Sequence, residues 1–345
     1  MTQQTSPTIT LQPSGRMFTV EPGETVLEAA MRNSLQLPYG CRNGACGSCK
    51  AKIACGTVDY GVHQSGTLTD EEKAAGKVLL CCAKPLGNLT VEVRELDGIG
   101  GVRVRILPCR VAKMERSGST MMLFLKLPQN ERLQFMAGQY IDFLLKDGKR
   151  RSFSMANAPH DDEFLQLHIR DYQGLFSGHV FNKMKERDIL RLEGPFGSFY
   201  LRDSARPMVL LASGTGFAPI KSIVEHCIKT GVQRDMVLYW GNRTRADMYA
   251  PELPEQWMRD LPGFRFVPVL SDATPDCAWT GRTGFVHKAV MEDFPDLSGV
   301  QVYACGAPPM VDAARREFSA LCGLPEDEFF ADSFTVNEPA TILAG

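Results

Sequence analysis

Apolar and polar positions fall into three successive patterns along the chain, and each predicts a different architecture. Short alternating runs at 8–11 and 16–20 flank the turn Pro13-Ser14-Gly15, and 24–34 carries Val26, Leu27 and Ala30 on one side of a helix. Further strand-like runs at 50–54, 78–82 and 89–93 complete a small α+β domain over residues 1–95. Residues 96–101, rich in glycine, read as a linker. From 102 to 202 the pattern is alternation at 120–127, 140–145, 151–155, 164–169 and 189–192, punctuated by turn residues, which predicts a small antiparallel barrel. From 205 to 345 apolar runs at 208–212, 236–240, 264–269 and 302–305 are separated by helical stretches such as 220–230. That is a βαβ series, hence an α/β domain with a parallel sheet.

Composition changes this picture little. A chain of 345 residues, 44% hydrophobic, has room for two or three packed cores. It holds no apolar run of 18 residues, so no membrane span is expected. The first six residues lack the basic and apolar regions of a secretory signal. Eleven cysteines in such a chain point to thiolate chemistry in a reducing, cytoplasmic compartment. The net charge of −2 gives no reason to expect nucleic acid as a partner. Acidic and basic residues balance within 1–95, so no strongly acidic docking face is implied.

The cysteines carry the sharpest chemistry. Cys41, Cys46 and Cys49 follow C-x4-C-x2-C, and Cys81 comes about thirty residues later, the ligand spacing of a plant-type [2Fe–2S] cluster. Three thiolates must converge within nine residues, so the loop must coil tightly, and Gly40, Gly44 and Gly47 supply the backbone freedom. Zinc sites usually pair two C-x2-C units, and only one exists here. The fourth ligand is Cys81 or its neighbour Cys82. With 78–82 read as a strand, alternation sends the two thiols to opposite faces, so only one can ligate, and Cys81 is the favoured one. Cys55, Cys109, Cys227, Cys277 and Cys322 lack mutual spacing and read as small hydrophobes in or near cores. With the cluster loop in place, the α+β layout of 1–95 is that of a β-grasp ferredoxin.

The other two segments carry weaker motifs in a suggestive order. Arg151, Ser152, Phe153 and Ser154 close a predicted barrel strand. There Arg offers a planar fork to a pyrophosphate, and a strand-end hydroxyl can hydrogen-bond a flavin ring nitrogen. His168, Ile169 and Arg170 follow, and then Gly174, Phe176 and Ser177 at a turn that opens a helix, whose N-terminus favours phosphate. Gly214-Thr215-Gly216 and Pro219 stand between the strand at 208–212 and the helix at 220–230. The glycines let a dinucleotide approach the backbone, and Pro219 suits the first helical position. Cys305 and Gly306 end the last long apolar run, at the strand edge where open α/β sheets bind ligands. Each motif alone also fits an ordinary turn, a solvated arginine or a buried structural cysteine.

Together, and in this order over nearly the whole chain, these motifs resemble the ferredoxin–NADP reductase superfamily. The resemblance extends to oxygenase reductase components with an N-terminal ferredoxin domain and to reductases of CDP-6-deoxyglucoseen (CDP-4-keto-6-deoxyglucose-3-dehydrase) systems. It implies [2Fe–2S], FAD and NADH as cofactors, with NADPH open because Arg243 follows the second strand, where a 2′-phosphate could be read. Relatives commonly carry Cys-Gln-Ala near 81–83, which puts Cys81 in the ligand slot. Arg151 would hold the FAD pyrophosphate, Phe153 would pack where Tyr is usual, and Ser154 would approach flavin N5. Residues 168–170 and 174–177 would line FAD; Gly214, Thr215, Gly216 and Pro219 would face the NAD(P) pyrophosphate, and Cys305 the nicotinamide. The tail 330–334, ending in Phe334, matches a family ending near the flavin, where an aromatic could fill the nicotinamide pocket or be ordinary core. The expected activity is electron transfer from NAD(P)H through FAD and the cluster to a one-electron-accepting protein. That acceptor is a terminal oxygenase or, alternatively, a CDP-6-deoxy-sugar dehydrase. No general acid–base pair is evident, and the remaining alternative is a redox sensor or carrier without NAD(P)H turnover.

Overall fold

The computed structural model describes residues 6–96 and 102–334. The expected linker lies, apart from Leu96, outside the described residues. Two compact units divide the chain: residues 1–101 with 334–345, and residues 102–333.

In the first unit the strands β1 (Thr8–Gln12), β2 (Met17–Thr19), β3 (Lys50–Cys55), β5 (Lys77–Leu79) and β7 (Leu89–Glu92) form one sheet in the order β2-β1-β7-β3-β5. Two short strands, β4 (Val58–Asp59) and β6 (Lys84–Pro85), pair beside it. Only β1 and β7 run parallel, a mixed sheet grasping one helix. That helix, α1 (Val26–Arg32), starts where a capping box stops it fraying. Thr25 Oγ1 accepts from the Glu28 amide at 3.2 Å, and a Glu28 carboxylate oxygen accepts from the Thr25 amide at 2.9 Å. The box puts the start two residues inside the expected 24–34, and the cap contributes about 1 kcal/mol. Val26, Leu27, Ala29 and Ala30 are buried. A second short helix, α2 (Asp70–Ala74), is capped the same way by Thr69 and Glu72.

One expectation fails here. The strand read over 78–82 stops at Leu79, and a turn follows: the amides of Cys82 and Ala83 both donate to Leu79 O at 2.9 Å. Cys81 and Cys82 are therefore not on opposite faces of a strand, and their sulfurs lie 3.6 Å apart. The periodicity argument assumed extended backbone that local hydrogen bonding does not provide. The structure also exposes Cys55 and leaves Cys277 half-buried, whereas Cys109, Cys227 and Cys322 are buried as expected.

The second unit opens with six antiparallel strands: β8 (Arg105–Ser117), β9 (Thr120–Lys126), β10 (Tyr140–Leu144), β11 (Arg150–Ser154), β12 (Leu165–Arg170) and β13 (Ile189–Phe196). Their order is β11-β10-β13-β8-β9-β12, and a bridge between Met155 and Leu167 joins the two edges into a barrel. The 13-residue β8 was not singled out in the sequence, although its burial does alternate in its first half. Inside, Leu107, Val111, Leu123, Ile141, Phe143, Leu167 and Leu192 build the core. The helix α3 (Leu175–Asn182) is capped by Gly174, whose amide donates to Ser177 Oγ at 3.1 Å.

The remaining strands are β14 (Met208–Ser213), β15 (Met236–Asn242), β16 (Phe264–Leu270), β17 (Arg282–Thr283), β18 (Gln301–Gly306) and β19 (Phe329–Ser333). They form an all-parallel sheet in the order β17-β16-β15-β14-β18-β19. Helices α4 (Phe217–Thr230), α5 (Glu252–Asp260), α6 (Val286–Asp293) and α7 (Pro308–Cys322) connect them. The strands are near-continuous apolar runs because both faces are covered. A 3₁₀ turn over Gly214–Gly216 precedes α4, which starts at Phe217. Pro219 is thus the third helical residue rather than the first. It is tolerated there because amides of the first turn have no intrahelical acceptor to lose. No helix among the described residues is long and apolar enough to cross a membrane.

Candidate functional site

The loop from Tyr39 to Cys49 gathers its thiols in two pairs. Cys41 and Cys46 are in side-chain contact, and Cys49 and Cys81 have sulfurs 3.3 Å apart. Among the described residues no three His, Cys, Asp or Glu side chains converge to hold a single metal ion. Two thiol pairs are instead the donor set of a binuclear cluster, in which each iron takes two thiolates and shares the bridging sulfides. Backbone amides already point at sulfur: Cys41 N reaches Cys46 Sγ at 3.3 Å and Ala45 N reaches Cys41 Sγ at 3.4 Å. The hydrogen bond from Cys46 draws the Cys41 thiol down to about 7, and those from Cys49 and Cys82 draw Cys81 down to about 3. The same hydrogen bonds push the partner thiols of Cys46 and Cys49 well up, so the ionisation of all four that ligation requires would come with the iron. Gly44 sits at φ +76°, and a Cβ on it would lie 2.8 Å from both Cys82 Sγ and His63 Cβ. The residues present fit the cluster.

In the second unit, sheet topology locates the other site. Strand order reverses between β14 and β18, and ligands of open α/β sheets bind beyond the carboxyl ends of the strands at such a switch point. Gly214–Gly216 follows β14 there, and Cys305 and Gly306 end β18. The approach is close: a Cβ on Gly216 would stand 2.1 Å from the Cys305 carbonyl oxygen. Cys305 is fully buried, and desolvation, then the nearby Asp332, pushes its thiol well up, so it stays neutral.

The next strand, β19, brings a residue that the sequence reading passed over. Asp332 pairs in register with Cys305, and Ser154 Oγ donates to Asp332 Oδ2 at 3.1 Å. Both Ser154 and Asp332 are buried. The barrel's strand end and the parallel sheet's edge therefore share one buried hydroxyl–carboxylate pair beside a neutral thiol. Asp332 was visible only as part of a tail read for its aromatics; its place depends on β19 pairing parallel with β18.

Strand β12 divides its residues by alternation. Leu165, Leu167 and Ile169 enter the barrel core, while Gln166, His168 and Arg170 face the nucleotide-binding side. His168 Nδ1 lies 2.8 Å from the Tyr249 hydroxyl, and Arg170 donates to Asp247 at 2.7 Å. Arg170 also lies 3.2 Å from the place of a Gly214 Cβ, and the Tyr172 and Thr215 side chains are hydrogen-bonded. Burial lowers His168 to about 3, so the imidazole is neutral. Its Nε2 is buried with no hydrogen-bond partner, and so are the Asn242 side-chain amide at the end of β15 and Ser333 Oγ at the end of β19. Buried orphan groups call for a partner. A polar ligand along this edge supplies one, so the residues fit a flavin and a dinucleotide.

Other candidate residues stand apart. Ile169 and Phe176 pack into the barrel core, and the Phe153 ring lies tilted against Phe143 and Phe176, with centroids 5.8 Å and 5.4 Å away. Ser152 Oγ is held by Asp142 at 2.6 Å, and Arg151 donates to Arg150 O at 2.8 Å. Gly174 and Ser177 cap α3. Pro219 is buried in the first turn of α4. Arg243 is 75% exposed and paired with Asp272 at 2.8 Å. Phe334 follows β19 and is half-buried.

This combination defines a class: an oxidoreductase with an iron–sulfur domain, a flavin barrel and a pyridine-nucleotide sheet. Family models agree, matching a 2Fe-2S iron-sulfur cluster binding domain over 9–86, an oxidoreductase FAD-binding domain over 108–200 and an oxidoreductase NAD-binding domain over 210–316. The chain is 41% identical to the CDP-6-deoxy-L-threo-D-glycero-4-hexulose-3-dehydrase reductase of Yersinia pestis, over 94% of this chain and 98% of that protein. It is 36% identical to the reductase component of phenol 2-monooxygenase of a Pseudomonas species, over 89% of this chain and 88% of that one. The crystal structure of an Amycolatopsis cytochrome P450 reductase superposes with a TM-score of 0.75 at 33% identity, covering 96% of this chain and 99% of that one. The chain belongs to the ferredoxin–NADP reductase superfamily, within the group of reductase components that carry an N-terminal 2Fe-2S domain.

Proposed function

We propose that this protein oxidises NADH, splits the electron pair at FAD, and delivers single electrons from a [2Fe–2S] cluster to a separate acceptor protein. When bound, FAD accepts a hydride and releases electrons one at a time, and the cluster carries them singly. The observation that carries the reading is the convergence of Ser154, Asp332 and Cys305 at the switch point of the parallel sheet. Cys305 contributes a neutral, compact wall against which a nicotinamide ring can lie. Ser154 Oγ presents a proton at the strand end, and Asp332 Oδ2, hydrogen-bonded to it, can take that proton or replace it. Gly216 and Gly306 let the turn after β14 and the end of β18 pack tightly together at this edge, and Arg151 and Arg170, the latter held by Asp247, bring guanidinium groups for phosphates. Cys41, Cys46, Cys49 and Cys81 hold the cluster.

For the acceptor, a terminal oxygenase fits the general group. A CDP-6-deoxy-hexulose dehydrase is favoured by one observation, the 41% identity over nearly the full length against 36% for the phenol monooxygenase reductase. NADH is preferred because a 2′-phosphate at this position would have to compete with the Asp272 carboxylate for Arg243. The test is anaerobic titration with NADH and with NADPH, followed by visible absorbance. Bleaching of flavin and cluster by NADH, with one flavin and two irons per chain, is the expected result. Bleaching by neither nucleotide refutes the reductase reading. Faster turnover with an oxygenase component than with a purified dehydrase reverses the choice of acceptor.

A further inference from the structure

One buried thiol beside the cluster loop has no role in this scheme. Cys82 is 7% exposed, and its Sγ lies 3.6 Å from Cys81 Sγ, within reach of an S–H···S hydrogen bond. The placement goes with the turn, in which the Cys82 amide donates to Leu79 O at 2.9 Å. Two glycines close the slot around it. A Cβ on Gly44 would stand 2.8 Å from Cys82 Sγ, and one on Gly61 would stand 2.5 Å from Cys82 O. The thiol in this slot is buried and faces the neighbouring sulfur.

We propose that Cys82 is a tuning residue: its S–H donates to the Cys81 sulfur and makes the cluster easier to reduce. The inference rests on the reading of Cys81 as fourth ligand. A ligating thiolate accepts hydrogen bonds and donates none, so the proton between these two sulfurs belongs to Cys82. Reduction adds one negative charge to the cluster, part of which resides on the ligand sulfurs. A donor to such a sulfur therefore stabilises the reduced state more than the oxidised one. No bond is made or broken, and the proton stays on Cys82.

The experiment uses full-length wild type, Cys82→Ala, Cys82→Ser and Cys81→Ala, purified anaerobically. Iron and sulfide analysis gives cluster content, and dye-mediated titration followed by electron paramagnetic resonance gives the midpoint potential. The Cys82→Ala protein is expected to keep its cluster and to be about tenfold harder to reduce, which for one electron is a fall of about 59 mV. The Cys82→Ser protein retains a donor and is expected within about twofold of wild type in the same equilibrium. Iron–sulfur stretching bands in resonance Raman spectra should shift more in D₂O for wild type and Cys82→Ser than for Cys82→Ala, in which only the backbone donors of Cys41 and Ala45 remain. An unchanged potential in Cys82→Ala with intact cluster overturns the proposal. Retention of the cluster by Cys81→Ala and its loss from Cys82→Ala would instead overturn the ligand reading, since Cys82 would then hold the iron. Loss of the cluster from both alanine variants leaves the decision to Cys82→Ser, where a potential within about twofold of wild type supports the proposal and a cluster about tenfold harder to reduce overturns it.

Discussion

In the proposed reaction the hydroxyl of Ser154 and the carboxylate of Asp332 would act as a buried pair. In water a serine hydroxyl beside a carboxylate exchanges partners freely; here both are shut away, beside a thiol that desolvation keeps neutral. A proton required or released at the strand end would have a short path through Ser154 Oγ to Asp332 Oδ2. Asp332→Asn is expected to slow flavin reduction by NADH by about 10²-fold while FAD stays bound, the usual scale for loss of a positioned acid or base. Ser154→Ala should cost a similar factor, and the double variant little more, because the two residues act in series. Stopped-flow absorbance under anaerobic conditions checks this, and a double variant whose loss is the product of the single losses would contradict a shared path. Sequence inspection reached Ser154 and Cys305 through motifs. It could not reach Asp332, because nothing within the chain says which strand lies beside Cys305.

At the scale of elements, β12 and α4 tie the barrel to the parallel sheet. Lys221 on α4 donates to Ala156 O at 3.3 Å and to Gln166 Oε1 at 3.1 Å, and Ser222 Oγ donates to Asn157 O at 2.7 Å. His168 on β12 meets Tyr249, whose ring lies edge-on to Trp240, itself stacked on Phe217. This seam has a pH dependence. The unfolded chain protonates His168 near 6.5, the folded protein only near about 3, because desolvation disfavours the cation and Lys221 adds repulsion. Between those values the unfolded state binds more protons, so stability rises with pH. The contribution is fully present above pH 6.5 and is lost as pH falls toward 3, at about 1.4 kcal/mol per unit. Thermal unfolding at pH 7.5 and pH 5 should show a smaller drop in midpoint for His168→Asn than for wild type. Equal drops would mean that other groups dominate the acid limb. Strand identities at this scale were largely legible from alternation. The exceptions are informative: 78–82 reads as a strand, yet local hydrogen bonds to Leu79 O turn the chain, and the helical proline sits two residues deeper than its usual place.

For the whole molecule, the division of labour follows the division into units. The thiols of the proposed cluster all lie within 1–101, and the flavin and nucleotide candidates, Phe334 apart, all lie within 102–333. Loss of a cluster ligand should therefore spare the chemistry of the other unit. Cys49→Ser is expected to abolish the cluster absorbance and the reduction of cytochrome c, while NADH still bleaches the flavin within about twofold of the wild-type rate. Flavin content, iron content and the two rates measured side by side check it. A flavin that no longer accepts hydride in this variant would show that the units do not act separately.

The sequence by itself determined the cluster and the order of the three architectures. Ligand spacing is a local property, since three thiolates within nine residues meet wherever the loop coils, and strand and helix periods are written in successive side chains. The nucleotide motif was legible for the same reason, a glycine turn between one strand and the helix that follows it. Tertiary structure alone decided what depends on neighbours distant in the chain. It set β19 beside β18 and so delivered Asp332 to Ser154, and it turned His168 and Arg170 toward the sheet edge while Ile169 went to the core. Those contacts are fixed by packing and strand pairing across many residues, and a one-dimensional pattern holds no record of them.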